Sequence, residues 1–155
     1  MIIRKAQSVD VSKLRSLILR AADRDNNPDF DARGWERFLI PNSEAAIAAR
    51  ITDGDYIMLC CVQEDALPEA NIIGLISLYK LDKIDQLFVH PAHFRKGIAT
   101  SLWRAAKLLS EEQGCQSFYV KSSTQAIAVY RSFGFKTSAP SATLNGMSFT
   151  LMTYD

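Results

Sequence analysis

Thiols and imidazoles are scarce in this chain of 155 residues, which has three cysteines and two histidines. Cys60 and Cys61 are adjacent inside an apolar run and Cys115 stands alone. An odd number so arranged is no disulfide framework. His90 and His93 form one local pair, with no second pair to complete a zinc site. No metal is therefore expected; Cys60 and Cys61 read as strand residues and the histidines as part of an exposed turn. Charge of one sign is lacking too, since 18 basic and 17 acidic residues leave +1. That balance argues against nucleic acid or an anionic membrane as a partner. No apolar run approaches the ~18 residues of a membrane span. The start, Met1-Ile2-Ile3-Arg4-Lys5, turns polar too soon for a secretory signal, so a cytoplasmic location is the default expectation. Neither G-x-x-x-x-G-K-[ST] nor G-x-G-x-x-G occurs, which removes two common glycine-rich phosphate loops. Repeats, low-complexity tracts and interdomain linkers are missing as well.

What is there suits one domain over residues 1–155, with 48% hydrophobic residues to build its core. Ile2–Ala6 reads as a first strand. Ser8 or Asp10 can cap a helix over about 10–24, where Val11, Leu14, Leu17, Ile18 and Ala21 recur at helical spacing. Asp25-Asn26-Asn27-Pro28-Asp29 breaks it. Further helices are expected over Ala32–Phe38 and from Ser43 to Asp53-Gly54. Tyr56–Val62 is a buried strand, Gln63–Ala70 with Pro68 a polar hairpin loop, and Asn71–Tyr79 the returning strand. Gly74 within it marks a bulge or a close backbone approach. Ile84–Val89 is the next strand, followed by an amphipathic helix on Ile98, Leu102, Ala105 and Leu109 that Gly114 ends. Gln116–Lys121 is a strand, Thr124–Phe133 a short helix, and Phe135–Leu144 and Met147–Tyr154 a closing hairpin about Asn145-Gly146. The order β-α-α-α-β-β-β-α-β-α-β-β describes an α/β domain.

The most informative stretch runs from Ile84 to Thr100. A β-type run, broken by Pro91, enters a glycine-containing turn that opens the amphipathic helix. Free N–H groups of a helix start, with Arg95 and Lys96 beside them, suit a phosphate-bearing ligand. The turn Phe94-Arg95-Lys96-Gly97-Ile98-Ala99 resembles the pyrophosphate loop of the GNAT acyltransferase superfamily, [Q/R]-x-x-G-x-[G/A], with Phe94 departing at the first position. Ala126-Ile127-Ala128-Val129-Tyr130-Arg131-Ser132-Phe133-Gly134-Phe135 resembles that family's A-x-x-x-Y-x-x-x-G-F segment. The order of elements extends the likeness over nearly the whole chain. It implies a GNAT-like fold: a mixed, mostly antiparallel sheet of about seven strands with helices on both faces.

The resemblance also implies an activity, an acetyl-CoA-dependent N-acetyltransferase that moves the acetyl group to a primary amine by direct attack in a ternary complex. Acetyl-CoA would be a co-substrate. Its pyrophosphate would lie on Arg95, Lys96, Gly97, Ile98, Ala99 and Thr100. Its pantetheine arm would pair with the backbone of Leu87, Phe88 and Val89, whose amides would polarise the thioester. The side chains of Leu87 and Val89 belong to the core in either case. Ser123 stands where many members carry a coenzyme-contacting Asn. Tyr130 would protonate the departing thiolate; packing on its short helix is the alternative. Asp85, as the one carboxylate on its strand, would accept the amine proton through water; an ordinary salt bridge is the alternative. Alternation puts Asp85 on the face of Leu87 and Val89.

The acceptor, a small-molecule or peptide amine, would meet residues 26–51. There Trp35, Phe38 and Glu36 line a pocket or the two aromatics pack helices onto the sheet. No nucleic-acid or membrane partner is expected, and pairing as a homodimer is compatible. A second class fits the same loop: a non-catalytic acyl-CoA-binding or sensing module. A third, acetylation of tRNA or a ribosomal protein, calls for a basic face or a peptide groove, and the +1 charge speaks against the tRNA version.

Overall fold

Two apolar surfaces on one sheet organise the chain. The computed structural model describes residues 1–64 and 71–155, so most of the hairpin loop expected over 63–70, with Pro68, lies outside the described residues. The strands are β1 (Ile2–Lys5), β2 (Tyr56–Gln63), β3 (Asn71–Tyr79), β4 (Lys83–Val89), β5 (Phe118–Ser122), β6 (Lys136–Thr137), β7 (Ala142–Leu144) and β8 (Met147–Tyr154). The helices are α1 (Val11–Ala22), α2 (Ala32–Leu39), α3 (Glu44–Thr52), α4 (Ile98–Glu112) and α5 (Ile127–Ser132). The sheet order is β1-β2-β3-β4-β5-β8-β6, with β7 also paired to β8. The β4–β5 pair is parallel and the other neighbours run antiparallel. This is the mixed, mostly antiparallel α/β domain expected, with helices on both faces.

Each face has its own core. Leu14, Leu17 and Ile18 of α1 and Ile47 of α3 pack with Met58, Cys60, Val62, Ile72 and Leu75. Across the sheet, Ile98, Leu102, Trp103 and Ala106 of α4 pack with Leu59, Ile76, Leu78, Ile84, Phe118 and Phe135. Cys60 and Cys61 are thus strand residues split between the two cores, and burial raises both thiols above their ordinary range, Cys60 to about 11. The bulge and the close approach expected at Gly74 both occur. Cys61 faces Gly74 and Val62 faces Ile72, leaving Ile73 as the extra residue. A Cβ on Gly74 would lie 2.8 Å from Ile98 Cγ2 and 2.9 Å from Leu102 Cδ1.

Two local expectations change. Asp10 does not cap α1 with its side chain. Its carboxylate accepts instead from the Gln7 N–H at 2.8 Å and from the Arg4 guanidinium at 2.7 and 2.9 Å. Ser43, by contrast, caps α3 by accepting from the Ala46 N–H at 3.1 Å. The strand expected over Phe135–Leu144 is two pieces, β6 and β7, because Pro140 between them has no N–H to give a ladder. The turn that follows behaves as read: Asn145 and Gly146 have φ of 52° and 79°, the left-handed pair of a tight hairpin.

Candidate active site

The ladder between β4 and β5 lasts for two residue pairs, Lys83 with Tyr119 and Ile84 with Val120. Beyond it the strands part. The cause lies in β4: Ser77 faces Gln86 while Leu78 faces Ile84, so Asp85 is the extra residue of a β-bulge. A bulge bends its strand and increases its twist. The gap holds a cavity of about 950 Å³.

The bulge also interrupts the alternation from which the face of Asp85 is read. Ile84, Leu87 and Val89 all pack on the α4-side core, whereas the Gln86 amide donates to Asn42 Oδ1 at 2.7 Å on the α1–α3 side. The alternation that would set Asp85 beside Leu87 and Val89 is broken at Asp85, and Ile84 takes that face. Asp85 lines the cavity, with Lys83 Nζ 3.7 Å from Oδ1. The salt bridge weighed from the sequence is therefore present, and the carboxylate remains at the apex of the gap.

Leu87, Phe88 and Val89 line the cavity. The His90 N–H donates back to the Ile73 C=O at 2.8 Å. The strand period of two then turns the Phe88 amide toward β3 and the Leu87 and Val89 amides toward the open gap. Phe88 contributes a ring and not a free N–H. Its ring packs edge-on against Phe38 at 6.3 Å.

At the start of α4, Gly97 has φ of 77° and a Cβ built on it would meet nothing within 4 Å. The first intrahelical bond runs from Ser101 N–H to Gly97 C=O at 3.0 Å, so the Ile98, Ala99 and Thr100 amides precede the helical ladder. Gly97, Ile98, Ala99, Thr100 and Arg95 line the cavity. Lys96 does not. It turns to a separate concavity of about 140 Å³ beside Met1 and Ile3. A φ of 62° at Arg95 explains the divergence, because a left-handed residue reverses the local backbone between two neighbouring cations. His90 and His93 flank this turn half-buried, with ring centroids 5.7 Å apart. His90 Nδ1 accepts from the Ala92 N–H at 3.1 Å. Burial, then Arg20 and His93, hold its pKa below the ordinary histidine value. Among the described residues no group of three or more His, Cys, Asp or Glu is placed to hold a metal ion.

Tyr130 is 4% exposed and packs with Phe133 and Phe135, ring centroids 6.0 and 5.6 Å away. It is not among the residues that line the cavity, though its neighbours Val129, Ser132 and Phe133 are. Burial raises its phenol well above the ordinary range, so the proton stays on. Ser123 lines the cavity and its side chain makes no capping bond.

The opposite wall comes from the segment expected to meet the acceptor. Phe38 both lines the cavity and packs on the sheet, while Trp35 stacks behind it at 5.4 Å; neither Trp35 nor Glu36 lines the cavity. Sequence reading missed Asp29, Phe30 and the β7–β8 hairpin. Asp29 is 6% exposed, and its carboxylate accepts from the Thr124 N–H at 2.7 Å and from the Thr124 hydroxyl. The Asn27-Pro28 turn was the sole local hint, through the Asp29 N–H that donates to Asn27 Oδ1 at 3.0 Å. The partner 95 positions away left none.

This geometry, a splayed parallel pair beside a glycine-started helix, meets its counterpart in known proteins. An Acetyltransferase (GNAT) domain model matches residues 26–155. The chain belongs to the GNAT acetyltransferase family. Among solved structures, a GCN5-related N-acetyltransferase from Rhodopseudomonas palustris is similar at TM-score 0.82 and 22% identity, covering 98% of this chain and 93% of that one. The PaiA N-acetyltransferase of Thermoplasma acidophilum, solved in complex with coenzyme A, aligns at TM-score 0.81 and 17% identity over 98% and 96% of the two chains. The ribosomal-protein-S18-alanine N-acetyltransferase of Escherichia coli aligns at 0.67 and 18%, over 98% and 91%. At these identities the likeness is one of fold. No curated protein matches the chain by sequence. The GNAT family makes the chain an acyltransferase; no described helix is long and apolar enough to cross a membrane.

Proposed function

We propose that this protein is an acetyl-CoA-dependent N-acetyltransferase that acts on a primary amine by direct attack in a ternary complex. The observation that carries the reading is the continuity of one cavity. It runs from the α4 start, along the open edge of β4, to the Phe38 wall. Donor and acceptor can meet there without a covalent enzyme intermediate. The family membership and the coenzyme A complex of the PaiA relative support the choice of donor.

In this reading the pyrophosphate accepts from the Ile98, Ala99 and Thr100 amides, over the space that Gly97 leaves open, with Arg95 alongside. Lys96 acts as a distant charge and Ser123 offers one hydrogen bond. The pantetheine arm runs beside β4, and the thioester oxygen accepts from the Leu87 or Val89 amide. The amine nitrogen attacks the thioester carbon, an N–C bond forms and the C–S bond breaks. Asp85 receives the amine proton through water. The departing thiolate takes a hydrogen bond and then a proton from Tyr130, which requires the tyrosine hydroxyl to turn toward the sulfur.

Release of free thiol from acetyl-CoA on adding primary amines, with the acetylated amine identified by mass, tests the reading. Acetyl-CoA binding without amine-dependent thiol release over a broad panel would favour the acyl-CoA-binding module instead.

A further inference from the structure

The acceptor wall narrows the substrate further than amine chemistry alone. We propose that the acceptor is a small monocationic amine with an aromatic body, and not a peptide, a polyamine or an amine bearing a carboxylate. This inference rests on the acetyltransferase reading above.

Three rings form the wall. Phe30 and Phe38 lie 5.0 Å apart at 57°, and Phe38 meets Phe88 at 6.3 Å and 74°. All three line the cavity. Tilted and edge-on rings of this kind accept a further ring by the same geometry. Two carboxylates, Asp29 and Asp85, line the same cavity. Of the cationic lining residues, Arg95 belongs to the turn before α4, and Lys121 of β5 holds its ammonium over the Phe149 ring at 5.3 Å. An ammonium group is therefore welcome beside the rings, and a substrate carboxylate would face the like charge of Asp29 and Asp85.

The far side is closed by backbone. A Cβ on Gly34 would collide with the Gly146 carbonyl oxygen, so α2 and the hairpin tip touch directly. The Asp31 N–H donates to the Gly146 C=O at 3.3 Å, and the Ser148 N–H to the Asp29 C=O at 3.1 Å. Phe30 and Met147 form a β-bridge between these bonds. An extended peptide would need a slot where these main chains meet. A polyamine would lay a bare methylene chain along the wall of rings, with no ring of its own to meet their tilted faces.

The test compares initial thiol release from acetyl-CoA with 2-phenylethylamine, hexylamine, spermidine, phenylalanine and a short peptide with a free N-terminus. The expected kcat/KM for 2-phenylethylamine is about tenfold or more above spermidine, phenylalanine and the peptide, and a few-fold above hexylamine. Phe38→Leu, which keeps an apolar side chain and removes the ring, should bring the preference over hexylamine close to unity. Equal or better use of spermidine, phenylalanine or the peptide overturns the proposal. So does acetyl-CoA binding without turnover of any aromatic amine. Wild-type protein that binds no acetyl-CoA, measured by calorimetry, overturns the underlying acetyltransferase reading and this proposal with it.

Discussion

The two halves of the cavity are built in opposite ways. The wall proposed for the coenzyme is local: Gly97, Ile98, Ala99 and Thr100 are consecutive, and Leu87 and Val89 lie just before them across one proline-bearing turn. The wall proposed for the acceptor is assembled at long range. Asp29 reaches Thr124 over 95 positions, and Arg33 donates to Asn145 at 3.4 Å over 112. A wall of consecutive residues keeps its geometry whenever its turn forms. A wall of distant residues exists only when the sheet, the hairpin and the α1–α2 connection are all in place. The first suits a ligand that is the same for a whole family, the second a ligand that differs between members.

Five substitutions would break or sharpen that contrast. The largest effect is expected from Gly97→Val. A φ of 77° costs a β-branched residue about 1–2 kcal/mol, and its methyls would fill the space left for the phosphates. Coenzyme affinity should fall about 1,000-fold or more while circular dichroism shows a folded protein. Undiminished affinity by calorimetry would remove the loop from the site.

Tyr130→Phe comes next. Losing a proton donor should lower kcat by roughly 10–1,000-fold with coenzyme affinity unchanged. Because burial raises the phenol, wild-type kcat should show no loss near pH 10, where an unperturbed tyrosine would ionise. An unaltered kcat in the mutant would leave Tyr130 the packing role that its neighbours Phe133 and Phe135 already give it.

Gly34→Ala addresses the other half. The added Cβ collides with the Gly146 carbonyl, so the hairpin must move off α2. KM for the amine should rise about tenfold, an affinity loss of about 1.4 kcal/mol, with coenzyme affinity held. Parallel losses for both ligands would mean that the halves are one cooperative unit.

Asp85→Asn should slow the reaction a few-fold, most at low pH where few amine molecules are neutral, and recover as pH rises toward the amine's own pKa of about 10. Overlaying pH–rate profiles would hand the amine proton to solvent.

Asp10→Asn lies outside both halves and should alter stability alone, by about 1–3 kcal/mol, through the lost Arg4 and Gln7 bonds. In the wild type Arg4 holds the Asp10 pKa below its unfolded value. Its contribution is thus complete above the unfolded carboxylate range, about 4, and declines as pH falls through the folded pKa. Melting curves of the two proteins should converge in acid; a constant gap would assign the effect to packing.

Most elements are legible in the amino-acid order, and particular residues show why. Val11, Leu14, Leu17 and Ile18 repeat at the period of α1, and Asn145-Gly146 carries the left-handed preference of its turn. Such signals act between residues a few positions apart. The misreadings have separate causes. Asp10 reads as a cap, yet Arg4 holds it from a neighbouring strand. Phe135–Leu144 reads as one strand, yet Pro140 divides it. Lys96 reads as the equivalent of Arg95, yet a left-handed Arg95 turns the pair apart.

The chain by itself determined the order of its elements, the two apolar surfaces of its sheet and the glycine-started helix, because periodicity, turn chemistry and capping are written within about ten residues. Tertiary structure alone decided the rest. The bulge at Asp85 arises from register against β3, and register depends on both strands at once. The closure of the wall proposed for the acceptor arises where Gly34 meets Gly146, two glycines that nothing in the linear order connects. Contacts of that kind are set by the summed packing of the whole sheet, and no local pattern encodes them.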